Sequence, residues 1–130
     1  MKSLLTVTAA VETATGLALL GLPSLVVSLL LGGSLDTPAA LVVARMTGAA
    51  LLSLGVACWL ARADEKSRGA VGLVTAMTLY NLAAVAILAY AGLGAGLSGV
   101  GLWPAVLLHV ALAAWCIASL RTSQMNQSQN

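Results

Sequence analysis

Four stretches of the chain carry almost no charge over the length of a membrane span, and that pattern decides what the chain can fold into. They run from about Leu4 to Leu20, Ala39 to Ala61, Ala70 to Ala91 and Trp103 to Leu120. A helix of about 20 mainly apolar residues crosses the ~30 Å hydrocarbon core of a bilayer. In lipid each segment must satisfy its own backbone hydrogen bonds, which selects helices. The expected fold class is therefore all-α: a four-transmembrane-helix antiparallel bundle, with residues 1–121 as one membrane domain. Composition excludes the alternatives. The chain is 60% hydrophobic and 8% charged, whereas a soluble domain is about 25% charged. Too little polar surface exists to cover a soluble fold, and too much apolar surface exists for disorder.

The first apolar stretch could run on to Leu31. Gly21-Leu22-Pro23 argues for a break instead, because Gly ends helices and Pro suits the first turn of a new one. Residues Pro23 to Leu31 then form a short extra apolar helix near the membrane surface or re-entering it. Gly32-Gly33-Ser34 and Asp36-Thr37-Pro38 are turn chemistry, with Asp36 or Thr37 placed to cap the second span. The glycine-dense segment Gly92 to Gly101 reads as a flexible connector. Residues 122–130 read as a disordered polar tail.

Charge sets the expected orientation. Lys2, Arg62, Lys66, Arg68 and Arg121 fall on one side of a four-span arrangement, and the other side carries Asp36. The positive-inside rule places both termini and the Arg62–Arg68 turn in the cytoplasm. The Ala, Leu, Val and Gly bias with no Phe is what GC-rich coding produces. It points to a bacterial source and so to the inner membrane. Lys2 followed by Leu4-Leu5 and small residues also has the look of a signal peptide, whose cleavage would leave three spans. Glu12 interrupts the apolar run needed for that.

Within the spans Glu12, Arg45, Asn81 and His109 are expensive. A charge at the bilayer centre costs roughly 2.5–3.5 kcal/mol on insertion scales, so such groups face the bundle interior and pair. At about 1.5 Å per residue from the uncharged end, Glu12 lies roughly 12 Å deep, Arg45 and His109 roughly 9 Å and Asn81 roughly 15 Å. The shared depth predicts one ligand-binding cluster of Glu12, Arg45, Asn81, His109 and Tyr80. Glu12 and Arg45 would form an ion pair, with Thr78 and Thr15 nearby. The alternative is that the same groups only fix helix register. Gly16, Gly48, Ala44, Ala49, Ser53 and Ala57 offer small-residue seams for close helix approach.

Other chemistry finds no support in the sequence. Cys58 and Cys116 stand in apolar segments without metal-ligand spacing. One His cannot supply both axial ligands of a haem. No phosphate-binding loop, zinc set or nucleophile–base–orienter triad is visible, and no Lys/Arg cluster is large enough for nucleic acid. The sequence assigns no enzymatic activity and no cofactor, and a non-catalytic role fits it better than a catalytic one. Its partners would be the bilayer itself and a membrane protein or a second copy of the chain.

The Gly16…Pro23 break, Arg45…Gly48…Gly55 in the second span and the charged turn after Trp59-Leu60-Ala61-Arg62 form a pattern. With Tyr80-Asn81 and Trp103-Pro104…His109, it resembles small bacterial four-helix membrane proteins of the broad DoxX-like kind. The resemblance implies the four-helix fold. Some relatives are linked to quinone-dependent sulfur oxidation and others to redox-stress complexes, and no catalytic residue carries over. Glu12 also matches loosely the membrane Glu of small multidrug exchangers. Arg45 departs from that pattern, since a permanent counter-ion competes with the proton that exchange must carry. Three functions follow as expectations: a membrane protein binding a small ligand or quinone-like lipid, a non-catalytic accessory subunit, and a proton-coupled small-molecule transporter.

Overall fold

The computed structural model describes residues 1–127 and is all-helical. It contains α1 (Lys2–Gly21), α2 (Pro23–Leu31), α3 (Pro38–Ala61), a 3-10 turn (Arg62–Asp64), α4 (Arg68–Leu93) and α5 (Leu102–Gln127). The four long helices are long and apolar enough to span a membrane. Their ends follow local chemistry. Leu22 leaves helical geometry at φ −131° and ψ 52°, and Pro23 opens α2 at once. Thr37 caps α3, its hydroxyl accepting from the Ala40 N–H at 3.2 Å. Ser67 caps α4 in the same way, from the Ala70 N–H at 3.1 Å.

Two expectations are corrected. The segment from Thr122 to Gln127 is not a loose tail: α5 continues through it. No Gly or Pro stops the helix there, and the Thr122 and Ser123 hydroxyls bond back to the carbonyls of Ala118 and Ser119 at 3.0 Å. The rest of the expected tail, 128–130, lies outside the described residues. Nor is Gly92 to Gly101 a free connector. The Gly101 N–H donates to the Leu29 carbonyl at 2.8 Å. A Cβ on Gly99 would stand 2.3 Å from the Leu30 carbonyl carbon, so glycine there lets the loop lie directly on α2.

The long helices associate as two pairs, α1 with α3 and α4 with α5, and α1 is the most buried of the four. On α1 the buried residues include Leu5, Ala9, Glu12, Gly16 and Leu19, and on α3 they are Ala44, Gly48, Leu51, Gly55 and Cys58. Both stripes step alternately by four and three, the seam of antiparallel helices packed at a shallow angle. At its centre the backbones touch. A Cβ on Gly16 would fall 2.7 Å from the Gly48 carbonyl oxygen, and one on Gly48 would fall 2.8 Å from that of Gly16. Lipid tails are as apolar as the side chains, so close packing of small residues supplies the attraction between these helices.

One end of the bundle collects the charged turn. The Met1 amine stands 3.2 Å from Glu65, and the Ser123 hydroxyl lies 3.0 Å from the Met1 sulfur. Hydrogen bonding from that amine outweighs an opposing desolvation and, reinforced by the Lys2 N–H and both nearby positive charges, holds the Glu65 carboxyl below its ordinary value. The other end is closed by α2 and the Gly99–Gly101 segment. Just on the charged-end side of Glu12 lies a core of Leu4, Leu5, Cys58, Val74, Met77 and Cys116.

Candidate functional site

Of the five residues expected to converge, the structure joins three, places a fourth beside them and separates the fifth. Asn81 on α4 is fully buried. Its Nδ2 donates to the Met77 carbonyl at 2.7 Å, one turn back on the same helix. That bond fixes the amide orientation, leaving Oδ1 to face His109 Nδ1 on α5 at 2.8 Å. An amide oxygen only accepts, so His109 Nδ1 carries the proton and donates. In the neutral ring the Nε2 lone pair then stays available, and no protein group among the described residues bonds to it. Tyr80 packs edge-on to the His109 ring, with centroids 5.7 Å apart at 80°.

Glu12 comes from α1. It occupies the buried stripe between Ala9 and Gly16 and is 2% exposed. Tyr80 on α4 and Cys58 on α3 lie within its electrostatic range, and its burial puts it on the inner side of α1. No hydrogen bond reaches it from any described residue, and Oε1 is buried without a partner. Buried polar atoms are nearly always satisfied, and an exception of this kind needs a physical explanation. In either protonation state the carboxyl keeps unmet hydrogen-bonding capacity.

The expected Glu12–Arg45 ion pair is not formed, and Arg45 stands apart from the cluster. Gly16 lies against Gly48 and Thr13 against Gly55, a register that brings Arg45 level with the far end of α1. Arg45 is exposed and borders a depression of about 390 Å³ with Gly21, Leu22, Pro23 and Leu25. Gly21 is nine residues beyond Glu12, roughly 13 Å along the helix. The physical reason is that α3 overshoots α1. α1 stops at Gly21, while α3 continues past it alongside α2. Arg45 also falls one position off the buried stripe, beside Ala44. So placed, its long side chain can carry its charge toward the membrane surface.

The supporting residues divide similarly. The Thr78 hydroxyl donates to the Val74 carbonyl at 2.9 Å, one turn back on its own helix. Thr15 makes no hydrogen bond among the described residues. Cys58 and Cys116 are free thiols in one buried cluster. Sequence reasoning missed Cys58 as a neighbour of Glu12. The signal was present, because Glu12 and Cys58 both lie on the facing stripes and Arg45 does not. Among the described residues no three His, Cys, Asp or Glu side chains gather as a metal site. Four surface depressions of about 340 to 520 Å³ are lined by other residues and do not include Glu12, Asn81 or His109.

The cluster therefore offers an unpaired carboxyl, a phenol and an imidazole nitrogen around one junction of the bundle. These groups suit hydrogen bonding to a small molecule that is itself soluble in the membrane. No family model matches the chain, and no curated protein or solved structure matches it either.

Proposed function

We propose that this is a small multi-pass protein of the bacterial inner membrane that binds a lipid-soluble, quinone-like molecule at Glu12, Tyr80 and His109. The observation that carries the reading is the Glu12 carboxyl, buried with Oε1 unpartnered and within electrostatic range of Tyr80, which packs on the ring of a His109 that Asn81 orients with Nε2 left free. A quinone presents carbonyl or hydroxyl oxygens on an apolar ring, which complements an isolated hydrogen-bonding group inside an apolar bundle. Asn81 acts by position: it holds His109 in one tautomer and orientation. The likeness to DoxX-like proteins, some of them tied to quinone-dependent oxidation, supports the same ligand class. Lys2, Arg62, Lys66, Arg68 and Arg121 favour an orientation with both termini in the cytoplasm.

A second reading is an accessory subunit in which the cluster only sets register. The internal satisfaction of Asn81 by Met77 and His109 favours it for that residue, but it leaves Glu12 unexplained.

The test is titration of the full chain in nanodiscs with a short-chain ubiquinone analogue, followed by tryptophan fluorescence. The reading predicts saturable quenching in the wild type. Glu12→Gln should weaken it about tenfold, the ~1.4 kcal/mol of one good hydrogen bond. Linear, unsaturated quenching that is equal in both proteins would indicate simple partitioning and overturn the assignment.

A further inference from the structure

We propose that the outward side of the α1–α3 pair is a docking groove for one anionic phospholipid. Its phosphate would be held by Lys2 and Arg62 and one acyl chain would lie between the helices. Two depressions meet at Trp59. One, of about 340 Å³, is lined by Lys2, Trp59, Leu60, Arg62 and Ala63. The other, of about 520 Å³, runs along the helix pair past Ala10, Ala14, Leu17, Gly55 and Val56. The first is basic and aromatic, and the second is apolar.

The basic end is built rather than incidental. The Arg62 guanidinium carbon lies 3.2 Å from the centre of the Trp59 ring. Its Nε donates to the Trp59 carbonyl at 3.1 Å. Stacking and that bond hold the planar group and leave its two outer nitrogens as a fork suited to phosphate. Lys2 is exposed and its ammonium has no carboxylate partner among the described residues. The acid beside it, Glu65, is engaged by the Met1 amine and the Lys2 N–H. Asp64 is exposed at the end of the same turn. Lys2 and Arg62 therefore flank the mouth with neither side chain in a salt bridge among the described residues, and each basic group near a membrane surface favours anionic lipid.

The apolar end matches a chain. Gly55 lets α1 close onto α3 against Thr13, and Ala10 and Ala14 bring one carbon each on the exposed side, so a shallow furrow runs along the outside of the seam. From Ala9 to Leu17 the furrow extends roughly 12 Å along α1, comparable with the ~15 Å depth of one leaflet. Trp59 sits at the junction, where an aromatic ring prefers the interface. This site is separate from the Glu12 cluster, which faces the interior of the bundle.

The experiment uses the full chain in nanodiscs of mixed phosphatidylglycerol and phosphatidylcholine, with bound lipid counted by native mass spectrometry. Bound phosphatidylglycerol should be enriched about fivefold over its bulk fraction. Lys2→Gln with Arg62→Gln should return the ratio to bulk. Ala10→Leu with Ala14→Leu, both on exposed positions, should fill the furrow and lower bound lipid of either headgroup. Lys2→Gln alone, at an exposed side chain, carries the headgroup test should Arg62→Gln unfold the protein, and it should reduce the enrichment. A wild-type ratio equal to bulk would overturn the proposal, as would enrichment that survives the Lys2 and Arg62 substitutions or a count of bound lipid that the Ala10 and Ala14 substitutions leave undiminished.

Discussion

The two helix pairs are held together by different means. α1 and α3 meet backbone to backbone through Gly16, Gly48 and Gly55. α4 and α5 are joined at their middle by side chains, the Asn81–His109 hydrogen bond with Tyr80 against the imidazole. Neither pair gains from a hydrophobic drive between helices once in lipid. The first uses dispersion at close range, which depends steeply on distance. The second uses directional polar contact. Glu12 belongs by position to the first pair and by chemistry to the second. It rides on the glycine seam, yet lies within electrostatic range of Tyr80 on α4. The glycine contacts set the depth and face at which α1 carries Glu12, and no side chain among the described residues bonds to it there.

Substitutions can break this contrast, and the largest effect is expected at the seam. Gly48→Leu should destabilise the bundle by about 3 kcal/mol, read as the shift in an SDS or thermal unfolding transition in detergent. The new Cβ alone would stand 2.8 Å from the Gly16 carbonyl oxygen, and backbone cannot yield as a flexible side chain does. Unchanged stability would mean that the two pairs are not held differently.

The polar pair should show a smaller and coupled effect. A double-mutant cycle of Asn81→Ala and His109→Ala should return an interaction energy of about 1 kcal/mol, the range found between membrane helices. A coupling near zero would reduce Asn81–His109 to a passive contact.

The smallest effect is expected at Arg45. Arg45→Gln should shift stability by less than about 0.5 kcal/mol. Combined with Glu12→Gln it should be additive within about 0.5 kcal/mol, because the two residues share no contact. Strong coupling would restore the ion pair that the helix register excludes.

Much of the fold was readable from local chemistry. The Gly21-Leu22-Pro23 break, the 23–31 helix, and the Thr37 cap are short-range features that a few residues determine. The site was readable only in part. Depths counted from helix ends assume that all four helices end in one plane, and α3 overshoots α1 by about two turns, which displaced Arg45. The heptad stripes carried better information, since Glu12 lies on one and Arg45 lies beside the other. The docking of Gly99 on Leu30 and the continuation of α5 to Gln127 depend on packing and on an absence of breakers. Glycine density and polarity do not report either one.

The Glu12 carboxyl is buried without a protein partner among the described residues, and the stability of the ligand-free protein reports on that burial without any added probe. Replacing an unsatisfied buried polar group with an apolar one of similar size removes its desolvation cost, about 1–3 kcal/mol. Chemical unfolding of Glu12→Leu in detergent without added quinone should therefore show a protein more stable than the wild type by that order. A Glu12→Leu protein less stable by a similar amount would show that the carboxyl already has its partner within the bundle, and would contradict the account.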